Sequence, residues 1–251
     1  MAELELLQKD IAFQANLYES GNPTRRWLHN VRREWVIRTL ESVSPPNPHY
    51  FEVGIGCGAY TRWMEKRGHV FAVDINPDFV DAATGMTTNV VARVSDITQE
   101  SHFAIHDVAL CSEVLEHVDD SPRALKNIFA SLKRGGYLVL TTPNAYSSVE
   151  LMSRLLAFRP VVKLARLIYG EPVDDLGHIN RMTRTQLRQQ IEAAGFEIVS
   201  HENLAFYLPV IAELGGQTGA RICQWFARKL AGTPLSWLLW TQCWVLRRPL
   251  R

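Results

Sequence analysis

The chain has 251 residues, a formal net charge of +1 and 47% hydrophobic residues, enough to bury a large core. So balanced a charge gives no electrostatic call for a nucleic-acid partner. The four cysteines (Cys57, Cys111, Cys223, Cys243) have no C-x-x-C spacing, which argues against a disulfide framework and for a reduced, cytoplasmic setting. The opening MAELELLQKD is polar and acidic, unlike a secretory leader, and no apolar run is long enough to span a bilayer.

Residues 1–45 read as helical, with a break at Gly21–Asn22–Pro23. Within them Trp27, Val31, Trp35, Ile37 and Leu40 recur at helical spacing. Pro45, Pro46 and Pro48 make a short stiff linker. Strand and helix then alternate: strand 50–54, helix 60–67, strand 69–73, helix 77–83, strands 89–94 and 107–111, helix 121–132, strand 137–142. Such alternation implies a parallel sheet with helices on both faces.

After Asn144 the pattern changes. Residues 147–169 read as one or two amphipathic helices, divided at Pro160. They carry Arg154, Arg159, Lys163 and Arg166, with no acid between Glu150 and Glu171. Thr183 caps the next predicted helix, Arg184–Ala194, which stops at Gly195. Phe196–Glu202 reads as strand six, 206–232 as further helix, and Cys243–Arg247 as strand seven. A single domain over 1–251 is expected. It divides into N-terminal helices (1–45), a nucleotide-binding half (46–143), a helical lid insertion (144–182) and the remaining sheet and helices (183–251).

The segment YFEVGIGCGAY (50–60) carries most of the functional information. An apolar run stops at Gly54, Gly56 and Gly58, and a helical pattern follows. A strand ending in a glycine turn that opens a helix is a nucleotide site, because glycine admits close backbone approach and positive φ. The next apolar run ends in Asp74, an acid placed to accept hydrogen bonds from ribose hydroxyls. The spacing G-x-G-x-G, preceded by Glu52, departs from the G-x-G-x-x-G of dinucleotide sites. A Tyr/Lys or His pair suited to nicotinamide chemistry is also missing from the pattern.

At these residues the chain resembles the class I S-adenosylmethionine-dependent methyltransferases, whose first motif reads E/D-x-G-x-G-x-G. VFAVDINP (70–77), VSDIT (94–98), VALCSEVLEHV (108–118) and LKRGGYLVLTTPN (132–144) resemble their later motifs, in order. The resemblance implies a Rossmann-like, seven-stranded, mostly parallel sheet in which strand seven is antiparallel and lies between strands five and six. It implies S-adenosylmethionine as cofactor, lined by Glu52, Gly54, Gly56, Gly58, Asp74, Ile75, Asp96, Ile97, Ser112 and Glu113. Glu52 orients the cofactor's amino group, Asp96 accepts from the adenine amino group or caps its own turn, and Ile97 packs on the ring. Arg25 or Arg26 pairs with the cofactor carboxylate, or simply ends a solvated helix.

Glu113, Glu116 and His117 form E-x-x-E-H, a spacing that places side chains on one face of a helical turn. Two carboxylates and an imidazole suit a divalent metal. The motif also occurs in ubiquinone-pathway and small-RNA 2′-O-methyltransferases, where resemblance implies a metal beside the acceptor hydroxyl. The small-RNA group adds a downstream His before the late helix, a place that His178 could occupy. The same motif is widespread in metal-free relatives, and there His117 or His178 is the candidate catalytic base.

The loop after strand four lacks the N/D-P-P-Y type of motif of amino-methylating DNA enzymes, so DNA is not expected as a substrate. The expected acceptor is a small or lipid-like molecule methylated on a hydroxyl oxygen. Alternatives are a small-RNA or sugar O-methyltransferase, an N-methyltransferase, or a silent module that binds a partner protein. Trp225, Trp237, Trp240 and Trp244, with the basic helix 151–169, read as a lid over an apolar acceptor, a peripheral membrane contact, or ordinary packing.

Overall fold

The computed structural model describes residues 17–85, 89–148, 151 and 180–251. Helix α1 runs from Pro23 to Val43. Asn22 starts it: its side chain accepts from the N–H groups of Thr24 and Arg25, and Pro23 follows with its φ preset. The chain then alternates as β1 (His49–Val53), α2 (Thr61–Met64), β2 (His69–Asp74), α3 (Pro77–Thr84), β3 (Val90–Val94) and β4 (His106–Ser112). A 3₁₀ turn (Leu115–His117) leads to α4 (Ser121–Ser131) and β5 (Leu132–Pro143). The last part is α5 (Arg184–Ala193), β6 (Glu197–Leu204), α6 (Pro209–Leu214), α7 (Gly216–Leu230), a second 3₁₀ turn (Pro234–Leu238) and β7 (Thr241–Arg247).

The sheet order is β3-β2-β1-β4-β5-β7-β6. β1 to β5 pair in parallel, and β7 runs antiparallel to both β5 and β6. This is the Rossmann-like arrangement expected of the family, with β7 inserted between β5 and β6. Strand alternation splits the core between the two faces. Phe51, Val53, Ala109, Cys111, Leu138 and Leu140 pack with Leu125 and Ile128 of α4 and with Leu187 and Ile191 of α5. Tyr50, Ala72, Val108, Leu110 and Val139 pack with Trp35, Val36 and Leu40 of α1, Met64 of α2 and Val80 of α3.

Several features differ from expectation, among them β5, which begins at Leu132 rather than 137. The helix after the glycine turn is a single turn, Thr61–Met64, rather than 60–67. The late helix divides at Gly215–Gly216, where Gly216 has φ 50. The buried stripe of α1 is Thr24, Leu28, Arg32, Trp35, Val36 and Leu40, one step round from the expected one. Two polar residues on that stripe masked its periodicity. The lid insertion falls almost wholly outside the described residues. Of the four late tryptophans, Trp244 is core, Trp240 packs near Arg32, and Trp225 and Trp237 are exposed.

Candidate active site

β1, β2 and β4 end together, and their carboxyl ends carry the predicted motif residues. The glycine turn leaves β1 through Gly54, with φ 81, and Gly54 N–H donates to Val73 O at 2.8 Å. A Cβ on Gly54 would strike Val114 Cγ2, so the position rejects any side chain on two counts. Asp74 organises the turn from β2. Its Oδ2 accepts from Ile55 N–H at 2.8 Å and Gly56 N–H at 3.3 Å, while Oδ1 accepts from Asn76 N–H at 2.9 Å.

Glu52 lies on the α1 face, between Phe51 and Val53 of the opposite face. It is 1% exposed. Thr61 Oγ1 donates to its Oε2 at 2.5 Å, and its Oε1 is buried without a hydrogen-bond partner. Burial, with Asp74 nearby, pushes its carboxyl up to about 8. A buried carboxylate oxygen without a donor is costly unless a ligand supplies one.

Ile75, at the tip of β2, is 72% exposed. Asp96 Oδ1 accepts from Thr98 N–H at 2.8 Å and Thr98 Oγ1 at 2.7 Å, so it caps its own turn. Ile97 belongs to the core, and its carbonyl accepts from Asn127 Nδ2 at 2.7 Å. Its side chain is spent on packing rather than presented to the site. Ser112 Oγ and Thr141 Oγ1 lie 2.9 Å apart.

The E-x-x-E-H residues do not form one continuous helical turn. A shared face needs a helical turn from 113 onward, but Glu113 has φ 58, Val114 is non-helical, and only Leu115–His117 form the 3₁₀ turn. Glu113 Oε2 meets Arg32 Nη1 at 2.7 Å, and Glu113 Oε1 accepts from Thr141 Oγ1 at 3.1 Å. Glu116 is buried; Thr142 Oγ1 donates to its Oε2 at 3.0 Å, and its Oε1 has no partner. Burial and then the Glu113 carboxylate hold the Glu116 carboxyl well above the usual carboxylate range. His117 is exposed. Among the described residues no group of three or more His, Cys, Asp and Glu side chains could hold a metal ion. His178 lies outside the described residues.

Sequence reasoning named Arg25 and Arg26 and missed Arg32. Arg25 Nε is taken by Glu213 Oε1 at 2.8 Å, and Arg26 is exposed. Arg32 is 8% exposed, with Glu113 on one side and the Trp240 ring 5.4 Å from its guanidinium carbon. Burial works against its charge, and Glu113 more than restores it, so the guanidinium stays ionised. Next to it, burial and Arg32 push His29 down to about 3. The missed signal was a charged residue in the apolar row Leu28–Arg32–Val36.

The family model for a methyltransferase domain matches residues 24–201. The chain belongs to this methyltransferase family. The ubiquinone biosynthesis O-methyltransferase of Xanthomonas axonopodis pv. citri (strain 306) is 32% identical over 168 residues, covering 60% of this chain and 69% of the relative. Among solved structures, the N-methyltransferase NodS of Bradyrhizobium japonicum WM9, in complex with S-adenosyl-L-homocysteine, aligns with a TM-score of 0.59 at 17% identity. That alignment covers 98% of this chain and 97% of NodS. The magnesium protoporphyrin IX methyltransferase of Synechocystis PCC 6803 aligns at 0.61 and 13% identity, covering 94% and 92%. The protein is thus an S-adenosylmethionine-dependent methyltransferase of class I.

This methyltransferase presents residues that fit the cofactor. The unpartnered Glu52 oxygen suits an ammonium donor, and the turn carries positive φ at Gly54, Gly56 and Gly58. No described helix is long and apolar enough to cross a membrane.

Proposed function

We propose that this methyltransferase methylates a hydroxyl oxygen of a small or lipid-like acceptor, holding S-adenosylmethionine at the carboxyl ends of β1, β2 and β4. The observation that carries the cofactor site is the buried, unpartnered Glu52 oxygen beside a glycine turn closed by Val114. The preference for oxygen is supported by the likeness to a ubiquinone biosynthesis O-methyltransferase.

When bound, the cofactor supplies an electrophilic methyl group on a sulfonium. The chain's residues bind, align and exclude water. Glu52, ionised on meeting an ammonium, fixes the amino-acid end. Asp74 keeps the turn in register through Ile55 and Gly56, and its remaining lone pairs accept from ribose hydroxyls. Exposed Ile75 offers an apolar surface to the adenine ring, the role expected of Ile97, which the core has absorbed. Asp96 retains an oxygen for the adenine amino group. Ser112 and Glu113 line the turn through their backbone.

The acceptor's proton goes to His117, which is exposed beside the site, or to His178. Glu116, whose carboxyl burial and Glu113 hold above the usual range, is a polar wall rather than a metal ligand. The test is transfer of a labelled methyl group from S-adenosylmethionine to phenolic, sugar, amine and RNA acceptors in parallel. The reading expects product on the phenolic or lipid-like hydroxyl set. Labelling confined to amines would overturn the oxygen assignment, and labelling confined to RNA would overturn the small or lipid-like acceptor.

A further inference from the structure

Glu113 is a non-glycine residue in the left-handed region, φ 58, at the hinge between β4 and the 3₁₀ turn. For a side chain with a Cβ this backbone is unfavourable and persists only where surroundings impose it. Three contacts impose it. Its N–H donates to Thr141 O at 2.9 Å, Thr141 Oγ1 donates to its Oε1 at 3.1 Å, and Arg32 clamps its Oε2 at 2.7 Å. The next residue is Val114, whose Cγ2 fills the space over Gly54. The order Arg32, Glu113, Val114, Gly54 therefore joins helix α1 to the cofactor turn through successive contacts.

We infer that Arg32 is a positioning residue for methyl transfer: by clamping Glu113 it holds the left-handed hinge that seats Val114 over the glycine turn. Arg32 acts here through Glu113 and not by touching the cofactor. Three features support this. The guanidinium is buried, its stem lies on the inner row of α1, and Trp240 and His29 flank it. It is thus fixed in place before any ligand arrives, as a preorganising contact must be. Its partner Glu113 has 18% of its side chain exposed, so solvent alone would satisfy that carboxylate without fixing the hinge. The inference rests on the cofactor site proposed above.

The test separates the hinge from a direct ionic contact. Arg32→Met keeps most of the buried stem and removes the charge. Calorimetric titration with S-adenosylhomocysteine should give a dissociation constant about tenfold weaker than wild type. In the Arg32→Met/Glu113→Gly double variant, glycine adopts φ 58 without a clamp, and affinity should return to within about threefold of wild type. Arg32→Met/Glu113→Ala removes the same two charges but keeps a Cβ, and should stay as weak as Arg32→Met. Equal weakness of the glycine and alanine doubles overturns the inference and assigns Arg32 to the cofactor itself. So does unchanged affinity in Arg32→Met. Should Arg32→Met not fold, Glu113→Gly and Glu113→Ala in the wild-type background carry the same comparison. The glycine variant must then bind more tightly than the alanine variant. Absence of binding by the wild-type protein would instead defeat the cofactor site, a separate outcome.

Discussion

Val114 Cγ2 occupies the space in which a Cβ on Gly54 would stand. The glycine that opens the cofactor turn is therefore fixed twice, by its positive φ and by a neighbour from another strand's loop. One strand end is shaped by the next, which is how a parallel sheet builds a site at its carboxyl edge.

Gly54→Ala should consequently be worse than a loop substitution of its size. The left-handed backbone and the overlap with Val114 together cost roughly 2–4 kcal/mol. Thermal unfolding should show a marked drop in midpoint, and S-adenosylhomocysteine affinity should fall at least about tenfold. Adding Val114→Ala should recover part of the stability, since it removes the overlap but not the backbone strain. No recovery would place the whole cost in the backbone.

Asp74 binds three backbone N–H groups in the free protein. Asp74→Ala should weaken cofactor binding by roughly 2–4 kcal/mol, through loss of charged acceptors for both turn and ribose. Asp74→Asn should fall between, because one amide oxygen still accepts. Unchanged calorimetric affinity in Asp74→Ala would remove this residue from the site.

Glu52 makes stability and binding respond to pH in opposite directions. Its carboxyl rises from 4.5 to about 8 on folding, so the folded state favours the protonated form. Its contribution to stability is full below about 4.5 and declines as pH rises through 8. Glu52→Gln removes that decline, so the variant's unfolding midpoint should gain on wild type steadily between pH 5 and 8. Cofactor binding needs the ionised form against an ammonium. Wild-type affinity should therefore climb with pH toward 8 and release a proton at pH 7, visible as buffer-dependent heats. Glu52→Gln should lose both the climb and most of the affinity. A midpoint difference independent of pH would contradict the burial argument.

Turnover should be insensitive to chelation, given how Glu113, Glu116 and His117 are placed. On an acceptor that supports transfer, EDTA should leave the rate unchanged and Glu116→Gln should be mild. His117→Ala or His178→Ala should reduce the rate by roughly 10²–10⁴. Loss of activity on chelation, restored by a divalent ion, would reinstate the metal reading.

The architecture was legible because most central strands are rich in apolar residues and four of the helices carry a side-chain cap. Asn22, Asn76, Asp120 and Thr183 all cap where the sequence changes character. The glycine turn and Asp74 were legible because their backbone demands restrict residue type. The fate of E-x-x-E-H was not, since a single left-handed residue, Glu113, breaks the helical phase on which spacing arguments depend. The burial of Ile97 and of Arg32 was not legible, for a common reason. Whether an apolar residue faces the core or a ligand, and whether a charge faces in or out, depends on partners distant in sequence. Arg32 and Glu113 lie far apart along the chain yet meet at 2.7 Å.

One titration bears most directly on the cofactor site. S-adenosylhomocysteine and NAD are each titrated calorimetrically into the wild-type protein at pH 7.5. One site of micromolar affinity for the first, about −8 kcal/mol, and no measurable heat from the second is the predicted result. Silence from S-adenosylhomocysteine, or comparable binding of NAD, would contradict the assignment of the glycine turn to this cofactor.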